Sequence, residues 1–257
     1  MGTELRGWLF DLDGVLVDTA GLHAQAWKAV FDPVLEQIRP AEPAGRPFDT
    51  DDYLRFVDGK PRLDGVRDFL GSRGLVLPEG SEHDESPRLT VRSVAQDKDR
   101  RFCTLLEHSA VRPYPDAVRL VRALLDGGRL TGVVSASEHC PALLEVCGLD
   151  GLFHVVVDGV VAKAQRLAGK PEPDTYVYAA QLLALDPGVT AVVEDAISGV
   201  AAGRTGRFGY VVGVGRRAPA AGLLSAGADV VVSDLDQFAA LMGLLAQEAP
   251  AAVEAAM

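Results

Sequence analysis

Leu9-Phe10-Asp11-Leu12-Asp13-Gly14-Val15-Leu16-Val17-Asp18-Thr19 carries an apolar run straight into two carboxylates spaced two residues apart. A run of this kind reads as a strand buried on both faces, and carboxylates at its end are costly unless they are used. At the carboxyl end of a parallel strand, an Asp-x-Asp pair can offer one nucleophile and one proton donor, with a cation between the charges. Gly14 lets the chain turn sharply after the pair. Taken alone, the pair is equally well explained as a solvated strand end or a helix cap at Asp18-Thr19.

Working outward, short β-branched runs recur at residues 7–10, 130–134, 153–157, 190–193, 210–214 and 229–232, each expected to be a strand buried on both faces. Helical patterns at 140–147, 174–185 and 197–203 alternate with the strands after residue 130, which predicts an α/β protein with a doubly wound parallel sheet. The stretch 20–109 lacks a buried strand and holds amphipathic segments at 23–38, 50–57 and 89–106. It is expected to be an all-α insertion, so that 1–19 and 110–257 form the α/β core. Within it, the Gly- and Pro-rich stretch 71–88 predicts a surface loop, and the Ala-rich tail 246–257 a frayed end.

The chain has 257 residues and a formal net charge of −11, which argues against a nucleic-acid partner, since phosphate backbones select positive surface. A phosphorylated small molecule needs only a local positive pocket. Three cysteines without a CxxC pair suggest thiols in a reducing cytosol rather than a disulfide frame. The first residues lack a signal pattern and no apolar run approaches a membrane span, so the expectation is a cytoplasmic protein, a monomer or weak dimer, with no membrane contact.

Three further sites place polar groups directly after buried strands. Ser135-Ala136-Ser137 offers hydroxyls and backbone N–H groups that can hold a phosphate, though a plain helix cap explains them as well. Lys170, in Gly169-Lys170-Pro171, offers a point charge for a phosphoryl oxygen, though a solvated loop lysine explains it equally. Glu194-Asp195 adds a second acidic pair, and hard oxygen ligands from two strand ends suit Mg²⁺. The lone pair Gly213-Val214-Gly215 lacks the third glycine of a dinucleotide-binding loop and carries little weight.

Together and in this order, Asp11-Leu12-Asp13-Gly14, Ser135, Lys170 and Glu194-Asp195 resemble the haloacid dehalogenase superfamily of phosphoryl-transfer enzymes, and the insertion resembles its small helical cap. The resemblance implies that Asp11 is the nucleophile that forms an aspartyl phosphate and that Asp13 is the general acid and base. It implies Mg²⁺ held by Asp11, the Asp13 carbonyl and Asp195, with Glu194 close by, and a phosphoryl group bound by Ser135 and Lys170.

Asp18-Thr19-Ala20 followed by His23 and Trp27, with Gly59-Lys60-Pro61-Arg62, Ser135-Ala136-Ser137 and Lys98, is similar to the β-phosphoglucomutase group. That similarity implies a hexose phosphate substrate contacted by His23, Trp27, Gly59, Arg62, Lys98, Ala136 and Ser137, with Arg62 holding the non-transferring phosphate. His23 and Trp27 also share one helical face and could simply pack, and Arg62 could be a surface residue beside Asp64. The chain departs from the group at Glu138-His139, where Lys-Asn is usual, and at Asp99, where Asn is usual. The competing expectations are a phosphatase acting on a small phosphate monoester and a silent scaffold that keeps the fold.

Overall fold

The computed structural model describes residues 4–38, 45–81 and 89–243. The expected tail and most of the second half of the loop 71–88 lie outside the described residues. Strands β1 (Gly7–Phe10), β2 (Leu130–Val134), β3 (Val155–Val157), β4 (Thr190–Glu194), β5 (Tyr210–Val214) and β6 (Val230–Val232) form one sheet in the order β3-β2-β1-β4-β5-β6. Every pairing is parallel. β3 and β6 are shorter than the runs that predicted them, and as edge strands both are only partly buried.

Alternate residues of the central strands feed two apolar layers. Trp8, Phe10, Val133 and Val193 pack with helices α5 (Pro115–Asp126), α6 (Cys140–Val146) and α11 (Leu235–Leu241). Leu9, Val134, Val192 and Val211 pack on the other face with α8 (Asp174–Leu182), α9 (Ile197–Thr205) and α10 (Ala220–Ala226). This two-faced cover is what makes all-parallel strands continuous apolar runs. A further helix, α7 (Gly159–Gln165), follows β3 and has no buried residue.

A third core joins α1 (Ala20–Ile38), α2 (Thr50–Asp52), α3 (Arg62–Ser72) and α4 (Val91–Glu107) around Phe31, Phe48, Phe69 and Val94. Between α2 and α3 the backbone widens into a π-helical turn, Tyr53–Val57, closed by the Asp58 N–H on the Tyr53 carbonyl at 3.0 Å. The segment 50–57 is therefore not one regular helix. The helix α3 also replaces the start of the expected loop 71–88, running through Ser72. The two chain crossings between this helical unit and the sheet lie side by side: the Asp18 N–H donates to the Arg112 carbonyl and the Tyr114 N–H to the Leu16 carbonyl. Among the described residues no helix is long and apolar enough to cross a membrane.

Candidate active site

From β1 the chain visits β2 and β3 on one side, then returns to β4 on the other, so the topological switch lies at the carboxyl end of β1. Open α/β sheets bind ligands in the crevice there. Phe10 pairs in register with Val133 and Val193, which sets Asp11 level with Val134 and Glu194. The Asp11 N–H donates to the Val193 carbonyl at 3.0 Å and anchors the residue to β4. The turn that follows needs Gly14, whose φ is +86°, and a Cβ there would meet Asp195 Oδ2 at 1.9 Å. The two acidic segments, far apart in sequence, are thus pressed together.

Lys170 lies buried between them, with Nζ 2.5 Å from Asp11 Oδ1 and 2.5 Å from Glu194 Oε1. Burial works against its charge, but the Asp11 and Glu194 carboxylates hold its pKa well above the usual lysine value. Glu194 also accepts from the Tyr176 hydroxyl at 3.1 Å and from the Ala196 N–H at 2.8 Å. Expected close to the metal, it has one oxygen on Lys170 and the other on the β4–α9 turn, and it does not line the cavity.

Asp13 faces the helical unit. Thr19 Oγ1 donates to Asp13 Oδ1, and His23 Nε2 lies 3.2 Å from the same oxygen. The Asp13 carboxylate can only accept, so His23 Nε2 carries the proton toward it, which leaves Nδ1 of the neutral ring to accept from Lys98 Nζ at 2.7 Å. Burial pushes Asp13 up, but His23 and the Thr19 hydrogen bond outweigh it and bring its pKa down to about 2. Burial, with the neighbouring Arg62 charge, lowers Lys98 to about 7. The Lys98 ammonium sits over the Phe102 ring at 4.6 Å and the Trp27 ring at 5.3 Å.

A cavity between sheet and helical unit is lined by Asp11, Asp13, Asp195, His23, Lys98 and Arg62, with Ala136 and Ser137 opposite. Ser135 is buried beneath it, its Oγ accepting the Ser137 N–H at 3.1 Å, so it does not cap α6, whose N-cap is His139. Trp27 touches the cavity but is stacked on Phe31 at 4.9 Å and belongs mainly to the helical core. Arg62 does not pair with Asp64, which binds Arg67. It pairs with Asp99 and, at 2.6 Å, with Glu138. Of the three residues that depart from the mutase pattern, Asp99 and Glu138 are therefore Arg62's own partners, and His139 binds Asp99 at 2.9 Å.

Asp58 also lines the cavity, and no motif in the chain marks it. Burial, followed by repulsion from Glu194 and Asp13, raises its pKa to about 7 against the Tyr53 hydrogen bond. The π-helical turn delivers it, and such turns recur at functional sites. The Asp58 carbonyl accepts from Ser198 Oγ at 2.7 Å. Next to it Gly59 has φ +70°, and a Cβ would lie 2.6 Å from Ser198 Oγ. Only glycine lets the helical unit close this tightly on the β4–α9 turn.

The donor set suits a hard divalent cation. Asp11 and Asp195 are buried, and burial raises both pKa values, with Glu194 and Asp13 adding to it at Asp11 against the pull of Lys170, and Asp58, Glu194 and Asp11 adding to it at Asp195. A cation among their oxygens would relieve that cost.

The sequence pattern of the haloacid dehalogenase-like hydrolases matches residues 5–206. The β-phosphoglucomutase of Mycobacterium bovis is 45% identical over 239 residues, covering 90% of each chain. The phosphorylated carbohydrates phosphatase of Thermotoga maritima is 30% identical over 207 residues, 80% of this chain and 83% of that one. Among solved structures, the β-phosphoglucomutase of Clostridium difficile superimposes with a TM-score of 0.71 at 22% identity, covering 93% of this chain and 96% of that one. The chain is an enzyme that belongs to the haloacid dehalogenase-like hydrolases, within their β-phosphoglucomutase-like branch.

Proposed function

We propose that the protein is a Mg²⁺-dependent β-phosphoglucomutase that interconverts β-glucose 1-phosphate and glucose 6-phosphate through a bisphosphate. The observation that carries this reading is the chain Lys98–His23–Asp13, in which a helical-unit histidine grips the acid/base carboxylate. Segment 20–109 then acts as a cap, and Asp13 is held for proton transfer when the cap covers the site. Such coupling favours a sugar hydroxyl over water as acceptor, because closure excludes water.

In this reading an oxygen of Asp11 attacks phosphorus and the bond to the leaving oxygen breaks. The low pKa of Asp13 keeps it a carboxylate, ready to take the proton of the sugar hydroxyl that attacks the aspartyl phosphate. Once protonated, it returns that proton to the leaving oxygen in the opposite transfer. Lys170 and Ser135 hold the phosphoryl oxygens, and Glu194 positions Lys170. Asp11, the Asp13 carbonyl and Asp195 would hold Mg²⁺, which when bound neutralises charge on the transferring group.

A phosphatase acting on a sugar phosphate is the second reading, favoured by the pairing of Arg62 with Asp99 and Glu138, which opposes capture of a distal phosphate. A phosphorus NMR time course with Mg²⁺, β-glucose 1-phosphate and a trace of glucose 1,6-bisphosphate separates the two. Glucose 6-phosphate without inorganic phosphate is expected; inorganic phosphate from the start would establish the phosphatase. Asp11→Asn should abolish turnover by either route while leaving the far-UV spectrum and melting temperature in place.

A further inference from the structure

Three donor groups that this mechanism leaves without a task converge where helix α4 meets the loop after β2. Asp99 and Cys103 stand one turn apart on α4, and His139 comes from the sheet domain's loop. His139 Nε2 is 2.9 Å from Asp99 Oδ1 and 3.7 Å from Cys103 Sγ, and one donor atom from each of the three lies within 4.8 Å of the others. All three side chains are half-buried.

A Cys–His–Asp relay for nucleophilic catalysis would use opposite nitrogens of the imidazole, one for the thiol and one for the carboxylate. Here a single nitrogen faces both. The Cys103 thiol is also pushed up, by burial and then by Asp99, the reverse of an activated nucleophile. Three unlike donors turned toward one point describe a coordination sphere instead. Around a tetrahedral ion with bonds of about 2.0–2.3 Å, donor atoms lie roughly 3.3–3.7 Å apart. His139 Nε2 and Cys103 Sγ already stand at that spacing, His139 and Asp99 reach it by separating a few tenths of an ångström, and Asp99 and Cys103 lie within 4.8 Å of each other.

We propose that Asp99, Cys103 and His139 form a zinc site that ties α4 to the loop after β2, with water in the fourth position. A thiolate with an imidazole selects Zn²⁺, whereas Mg²⁺ takes the all-oxygen set at Asp11 and Asp195. On binding, the Cys103 S–H bond breaks, its proton leaves to solvent and the sulfur lone pair bonds the metal; His139 gives up the Nε2 proton that faces Asp99 and keeps a single proton on Nδ1, so that the Nε2 lone pair bonds the metal, and nothing is oxidised. Arg62 gives up Asp99 and keeps Glu138. Two ligands lie on the helical unit and one on the sheet domain, so bound zinc holds the two closed and suppresses turnover. That last consequence rests on the cap reading above; the binding itself does not.

The test titrates Co²⁺ into the full-length protein in excess Mg²⁺ and follows the near-ultraviolet thiolate-to-cobalt charge-transfer band, a signature an oxygen-only site cannot give. One equivalent should develop the band, Zn²⁺ should bleach it, Cys103→Ser should lack it, and His139→Gln should weaken zinc binding by at least about tenfold. Absence of a band, or a band that survives Cys103→Ser, overturns the site. Equal zinc inhibition of wild type and Cys103→Ser overturns the clamp. Absence of turnover on every sugar phosphate would sink the functional reading while leaving the cobalt result intact.

Discussion

Lys98 is 4% exposed, under aromatic rings and against His23, and its burial has a consequence for stability that can be measured. Its pKa falls from the ordinary 10.5 to about 7 in the folded protein. Below pH 7 the group is protonated folded and unfolded, so the full cost of burying its charge stands. Between the two values the unfolded chain binds a proton that the folded chain does not, and stability rises with pH by about 1.4 kcal/mol per unit. Lys98→Met removes this dependence. In urea unfolding, wild-type stability minus that of Lys98→Met should therefore grow by about 3 kcal/mol from pH 7 to pH 10. A flat difference would mean that the ammonium is not desolvated and that His23 Nδ1 has another donor. This contact joins residues 75 apart in sequence, on two helices whose pairing no local motif announces. The sequence supplied both residues as candidates but not the contact between them.

At the scale of elements, the helical unit is organised by the buried Asp52. Its carboxylate closes a capping box with Asp49, accepts Arg46 at 2.8 Å and accepts Arg73 at 2.7 Å. Asp52→Ala takes the carboxylate from a buried guanidinium and should cost about 3–5 kcal/mol, read as a lower urea midpoint with the same slope. A loss under about 1 kcal/mol would show that the pair is solvated in solution. The strands of the sheet were legible because double-sided burial writes an apolar run into the chain. The helix α3, in contrast, was not foreseen, since Arg62–Ser72 is polar and carries Gly65 and Gly71. Gly65 is there for packing, as a Cβ would come within 3.3 Å of Trp27. The π-helical turn was equally hidden, because its amphipathic pattern over 50–57 matches that of an ordinary helix, and with it went Asp58. The acidic and hydroxyl motifs were legible because each directly follows a strand that the sheet brings to one edge; Lys170 does not follow a strand, since helix α7 separates it from β3, and it reaches the site from the loop before α8.

For the whole molecule, what matters in the proposed mutase reading is how tightly the helical unit shuts on the sheet, since in that reading transfer to a sugar competes with transfer to water. Side-chain contacts that hold it include Ser198 on the Asp58 carbonyl, Arg62 on Glu138, His139 on Asp99 and His23 on Asp13. The first depends on Gly59. In Gly59→Ala the new Cβ meets Ser198 Oγ at 2.6 Å and Ala196 Cβ at 2.9 Å, and the positive φ adds about 1–2 kcal/mol of strain. Both penalties fall on the closed arrangement, because opening relieves the contact and frees the turn. Asp11, Lys170 and the acid cluster stay on the sheet and are untouched, so the proposed phosphoryl transfer to Asp11 should persist. The variant should lose mutase flux by about tenfold or more while the share of turnovers ending in inorganic phosphate rises, measured as free phosphate released per glucose 6-phosphate formed. If flux falls with no change in that ratio, closure is not what excludes water, and the partition between sugar and water must be set by the acceptor pocket around Arg62.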